Sequence, residues 1–151
     1  MKQKISLFAI AIITVAACIA LESFSKKPGG DYFKIFLNDR LMTEQYLTQP
    51  TNLSLFSLSA ANRNDKLTIH FSHCGTAGKN RAISLKDEKG NLLKEWKFAD
   101  SKSIALQIEV RDVLQATSAK SICTVFYSSK ERPSGQALTK LDLKKASVAR
   151  L

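Results

Sequence analysis

Ile104, Leu106, Ile108 and Val110 alternate without a break against Ala105, Gln107 and Glu109. A period of two puts successive side chains on opposite faces of an extended chain, so this stretch buries a single face only as a β-strand. The pattern recurs: Leu67, Ile69 and Phe71 share one face of Lys66–Ser72, and Ile83 and Leu85 share one face of Arg81–Lys86. Cys123, Val125 and Tyr127 do the same within Ser121–Ser129, as do Phe33, Ile35 and Leu37 within Tyr32–Leu37. Such stretches return roughly every eight to twelve residues with turn residues between them, the spacing expected of a sandwich or barrel.

The segments between them fit the same plan. Asn38-Asp39 is a turn into a second strand over Leu41–Leu47, and Leu53–Leu58 changes phase between Leu55 and Phe56, which predicts a bulge or burial on both sides. Asp87-Glu-Lys-Gly-Asn91 supplies a Gly-containing turn into Leu92–Phe98, the strongest hairpin signal in the chain, with Trp96 expected as a core anchor. Arg111–Lys120 has few β-branched residues and predicts one or two helical turns crossing between sheets. Pro133-Ser-Gly135 is a turn and Ala137–Leu143 a last strand. The expected fold is all-β: a mainly antiparallel β-sandwich of eight or nine strands with one short helix, over residues 31–143, followed by a flexible tail at 144–151.

An N-terminal hydrophobic helix, signal or anchor, precedes this domain. Lys2 and Lys4 lead into the apolar run Ile5–Leu21, broken only by Ser6 and Thr14, so residues 1–21 have the charged and apolar regions of a secretory signal. Ala17 and Ala20 suit a cleavage site. The run of about 17 residues also reaches the lower limit for a spanning helix, which makes a retained anchor the alternative. Val15-Ala-Ala-Cys18 resembles the lipobox of bacterial lipoproteins, and that resemblance implies lipidation of Cys18 as the new N-terminus. Residues 22–30, with Lys26-Lys-Pro-Gly-Gly30, form a linker. All three routes export the domain across a membrane, leaving it periplasmic, secreted or membrane-anchored.

Ser72–Arg81 concentrates rare residue types, with His70 just upstream. A metal site would need His70, His73 and Cys74 to converge, at a spacing that matches no zinc signature. A Cys74 thiolate with His73 as its base is the nucleophilic alternative. Once Cys18 leaves the fold, Cys74 and Cys123 remain, and in an oxidising compartment they are expected to close a disulfide across about 50 residues. Gly75-Thr-Ala-Gly-Lys-Asn-Arg81 lacks the Gly and the Ser or Thr of a phosphate loop, leaving Lys79 and Arg81 as generic anion contacts.

The formal charge of +10 favours anionic partners, but the basic residues are dispersed from Lys26 to Arg150 and no nucleic acid is expected. Neither a Gly-x-Ser-x-Gly elbow nor a dinucleotide fingerprint is present, and no cofactor is implied. The sequence thus predicts an exported cell-envelope or secreted protein with a non-catalytic binding or structural role. Its expected partner is a protein or an anionic envelope component, with membrane association through the N-terminus. The competing functions are a small metal- or thiol-dependent enzyme centred on His70, His73 and Cys74, and a binder of anionic surfaces through basic loops.

Overall fold

Each alternating stretch becomes a strand. The computed structural model describes residues 30–48, 52–117 and 122–143. The segment 1–21 with Cys18, all of the linker but Gly30, and the tail 144–151 lie outside them. The strands are β1 (Tyr32–Leu37), β2 (Arg40–Tyr46), β3 (Ser54–Leu58), β4 (Lys66–Ser72), β5 (Arg81–Asp87), β6 (Leu92–Phe98), β7 (Ala105–Glu109), β8 (Ile122–Ser128) and β9 (Gln136–Leu143). The one short α-helix among the described residues, α1 (Val110–Ala116), follows β7 directly. The protein is mostly β, with two sheets in the orders β2-β1-β4-β7 and β3-β9-β8-β5-β6.

The alternation decides which side chains meet between the sheets. Phe33, Ile35, Leu67, Ile69, Phe71, Leu106 and Ile108 from the four-stranded sheet join Ile83, Leu85, Cys123, Val125, Tyr127, Leu138 and Leu141 from the other in one core. Phe71 and Tyr127 stack across the two layers with ring centroids 3.8 Å apart. Burying such side chains contributes about 1.5–3 kcal/mol each, which is why the pattern overrides weaker local signals. Trp96 lies on the edge strand β6 and is half-buried against this core, with Lys94 Nζ 5.2 Å from its ring centroid.

Three local expectations change. The predicted phase change in β3 is absent: Leu55 points outward at 57% exposure, while Phe56 packs against the core and Leu58 is buried. The irregularity falls instead in the β1–β2 hairpin, where the register shifts between Ile35 and Phe36 and Met42 is the extra residue. β3 also pairs with β9 in parallel, the only such ladder among the described residues. A parallel partner 85 residues away, as with Ser54 and Thr139, leaves no local turn signal to read. The helix begins at Val110 and buries Val110 and Val113, and the Thr117 hydroxyl donates to the Val113 carbonyl at its end.

β4 and β5 are not a hairpin. They belong to different sheets, so residues 73–80 cross from one layer to the other, and β6 returns to β7 through residues 99–104. Residues 73–81, which the sequence singled out, therefore lie at one end of the two-layer stack, where chain segments distant in sequence converge.

Candidate functional site

The alternation of β4 continues one residue beyond the strand. His73 follows Leu67, Ile69 and Phe71 to the inner side, with its ring 4.9 Å from that of Phe71. The chain then reverses at Cys74-Gly75, both at positive φ (48° and 96°), closed by reciprocal His73–Thr76 backbone hydrogen bonds of 2.8 and 3.0 Å. Two successive positive φ values define the hairpin turn that Asn-Gly fits best. Cys74 stands in the Asn position, exposed, with Sγ 3.7 Å from an Asp31 carboxylate oxygen.

Two remote segments supply side-chain partners for His73, the residue before β1 and the end of β8 with the residue after it. Nδ1 lies 3.1 Å from Asp31 Oδ2, and a carboxylate only accepts, so Nδ1–H donates. Two hydroxyls face Nε2: Tyr127 at 3.0 Å and Ser129 at 3.1 Å. Arg132 Nη2 donates to the same Asp31 oxygen at 3.0 Å, while its Nη1 donates to Gln136 Oε1 at 3.1 Å. Burial tends to raise the Asp31 pKa. The hydrogen bonds and charges of Arg132 and His73 outweigh it and hold the carboxyl below its ordinary 3.8. Burial pushes the Tyr127 phenol up, so it stays a neutral donor.

Asp31, His73 and Ser129 are ordered like a carboxylate–imidazole–hydroxyl relay. The surroundings give it no room to work. Ser129 is only 5% exposed and its oxygen also accepts from the Arg132 backbone N–H at 3.2 Å. The buried Gly78 backbone covers the imidazole: a Cβ there would stand 2.6 Å from the Tyr127 hydroxyl and 2.9 Å from His73 Nε2. A reacting carbonyl needs that same space. The cluster is a clamp that fixes the start of β1 to the end of β8 and the loop after it.

The remaining expectations for this region are corrected or separated. His70 faces outward between Lys34 and Ala105 in register, its ring 5.0 Å from Phe36. Burial and the Lys34 charge lower its pKa. His70 and His73 therefore lie on opposite faces of one sheet, and among the described residues no group of His, Cys, Asp or Glu is disposed to hold a metal. No Cys74–Cys123 bridge is formed, and both are free thiols. Cys123 is paired in register with Asp87, four residues down β8 from Tyr127, which is about 13 Å at strand rise, and burial pushes its thiol up to about 12.

Arg81 is not an anion contact either. At 3% exposure its guanidinium donates to the Ser103 carbonyl at 2.6 Å and the Ala99 carbonyl at 2.9 Å, fastening the β6–β7 crossover. The Lys79 side chain is exposed, but its N–H is taken by Glu131 at 3.0 Å, and the Asn80 N–H by Asp100 at 2.7 Å. The Lys79 N–H lowers the Glu131 pKa in turn. The protein's own carboxylates occupy the positions a bound anion would take.

Two of the four exposed large apolar side chains among the described residues, Leu41 and Tyr46, lie on one sheet face. On the outer face of the four-stranded sheet Tyr32 is opposite Tyr46, Lys34 opposite Glu44 and Phe36 opposite Leu41. Tyr32 and Tyr46 are in contact at 5.6 Å between centroids, and Lys34 pairs with Glu44 at 3.1 Å. Leu41 and Tyr46 are 46% and 40% exposed. Between Phe36 and His70 lies a shallow recess of about 250 Å³ with Asn38, Asp39 and Thr68 on its rim. This aromatic row is what the sequence reasoning missed. The outward positions of β1 carried its signal, because Tyr32 and Phe36 occupy the face on which an alternating strand ordinarily places polar residues.

No known protein family matches the chain, and no curated protein does.

Proposed function

We propose that this chain is an exported, non-catalytic binding protein of the cell envelope: a β-sandwich domain delivered across a membrane by residues 1–21. The observation that carries this reading is the outer face of the four-stranded sheet, over which none of the other described strands or the helix packs. Tyr32, Phe36, Leu41, Tyr46 and His70 form one patch there, whereas the polar cluster around His73 is turned inward and internally paired. The Lys34–Glu44 ion pair divides the patch into a Tyr32–Tyr46 half and a Phe36–Leu41–His70 half, and exposed apolar side chains grouped in this way mark an interaction site. The charged and apolar regions of residues 1–21 support export, and the formal charge of +10 supports an anionic partner on the far side.

Cell fractionation followed by intact mass and N-terminal sequencing tests the address. The expected result is an envelope or secreted protein that is cleaved near Ala20, lipidated at Cys18 or retained whole in the membrane fraction. An unprocessed, full-length chain in the soluble cytoplasm overturns it. The binding role is tested by a Leu41→Glu/Tyr46→Glu variant, which is expected to fold and localise like the parent and to lose the cross-links that this sheet face makes to envelope material. Retained cross-links discard this face.

A further inference from the structure

Resting on the exported binding role, we infer that the outer face of the four-stranded sheet is a membrane-interface platform that lies against the anionic headgroup layer of the bilayer from which the chain emerges. The position of the patch along the chain is the first argument. The apolar run ends at Leu21 and Tyr32 opens β1, so ten residues separate them. Fully extended, they reach at most about 35 Å, which keeps the platform close to any bilayer that holds the N-terminal segment.

The composition of the patch is the second. Tyrosine has an apolar ring and a hydroxyl tip, the combination that settles at the boundary of headgroups and acyl chains. Tyr32 and Tyr46 stand side by side at the end of β1 nearest the linker. Phe36 and Leu41 continue the apolar surface along the same two strands, and His70 extends it onto β4. The outer face of the other sheet differs. Lys86, Lys97 and Lys140 interrupt it there, Lys86 lies over the Phe126 ring at 4.5 Å, and Leu55 and Leu92 are exposed singly on its two edge strands.

Charge is the third. Lys26 and Lys27 lie in the linker between the apolar run and the platform, exposed Arg40 beside Leu41 is balanced by exposed Asp39, and the whole chain is formally +10. Basic residues next to a bilayer draw it to anionic lipid within a Debye length. The Lys34–Glu44 pair leaves the centre of the platform neutral, so aromatic and aliphatic groups make the contact while the flanks supply the attraction.

The test uses the full-length chain reconstituted into vesicles of phosphatidylcholine, with and without phosphatidylglycerol, followed by hydroxyl-radical footprinting. Leu55 and Leu92 on the opposite sheet serve as internal references. Oxidation of Tyr46 and Leu41 is expected to fall several-fold relative to those references on phosphatidylglycerol vesicles, and by less on phosphatidylcholine alone. The Leu41→Glu/Tyr46→Glu variant is expected to stay with the vesicles through its N-terminal segment while position-specific protection of Tyr32 and Phe36 disappears. Equal oxidation of both sheets on vesicles overturns the inference. Protection that rises with protein density and tracks a cross-linked dimer also overturns it, because a second copy then covers the face. Failure of the exported reading shows separately, as an unprocessed cytoplasmic chain in the fractionation.

Discussion

His70 and His73 are three residues apart and occupy opposite worlds. His73 sits between the sheets, both ring nitrogens engaged by Asp31, Tyr127 and Ser129, under the Gly78 backbone. His70 lies on the outer face against Phe36, beside an open recess. An odd spacing along a strand sends one imidazole inward and the other outward, and their chemistry follows from that alone. The inner one has its hydrogen-bonding capacity filled by the fold. The outer one belongs to the exposed face that we propose as the binding surface.

Replacing each histidine by alanine breaks the comparison most directly. His73→Ala leaves the buried Tyr127 hydroxyl short of a partner and Asp31 dependent on Arg132, and should destabilise by about 2–4 kcal/mol. His70→Ala should cost less than about 1 kcal/mol, since it removes one ring contact on a solvated face. Urea unfolding checks both: the midpoint should drop sharply for the first and barely move for the second, at unchanged slope. Equal effects would remove the distinction.

Gly78→Ala probes the roof of the inner cluster without removing any polar group. The added Cβ meets the Tyr127 hydroxyl at 2.6 Å, Glu131 Oε2 at 2.8 Å and His73 Nε2 at 2.9 Å. Glu131 can swing away only by giving up the Lys79 N–H, and Tyr127 and His73 are fixed by packing, so overpacking should cost about 1–3 kcal/mol. Thermal denaturation of the variant measures it. An unchanged melting temperature would mean that the imidazole is reachable and would revive the relay as a chemical site.

How much of this was legible follows from the range of each signal. Strand positions and their inward residues depend on neighbours two apart, so Phe33, Ile69, Leu106 and Tyr127 were placed correctly from the sequence, and so was the Asp87–Asn91 hairpin turn. Sheet membership was not legible. The Gly-containing stretch after His73 resembles a hairpin loop in sequence and is a crossover in the fold. The cluster around His73 was hidden for a related reason. Asp31 and Arg132 are 101 residues apart, and nothing local ties an isolated aspartate after a linker to an arginine in a late loop. The one available hint was Tyr127 itself, because an inward tyrosine requires a polar partner for its hydroxyl. Rarity of residue types drew His70, His73 and Cys74 together, and face parity then separated them.

Asp31→Asn sharpens the inner site on the acid side. With its pKa held below 3.8, the native Asp31 takes up its proton at lower pH than the unfolded chain does. Its contribution is therefore fully present above 3.8 and is lost as the pH falls through the native value. The variant should be less stable than the parent at neutral pH, and the difference should shrink below pH 3.8. Stability measured against pH from neutrality into the acid range reads this out. A constant difference would assign the loss to shape alone.

The smallest effect belongs to the outer histidine and has a separate pH window. Burial and Lys34 lower the His70 pKa from 6.5, so the unfolded chain binds a proton at higher pH than the native protein does. Stability from this group is complete above 6.5 and declines as the pH drops below it, ending at the native value. Lys34 and Glu44 are the charged groups facing His70 from β1 and β2, and Lys34 is held toward Glu44 by their 3.1 Å pair. Glu44→Gln frees Lys34 and should deepen the decline, whereas His70→Gln should abolish it while leaving the Asp31 window untouched. If His70→Gln instead flattened the acid limb below 3.8, the two faces of β4 would be coupled, and the separation of clamp from platform would not hold.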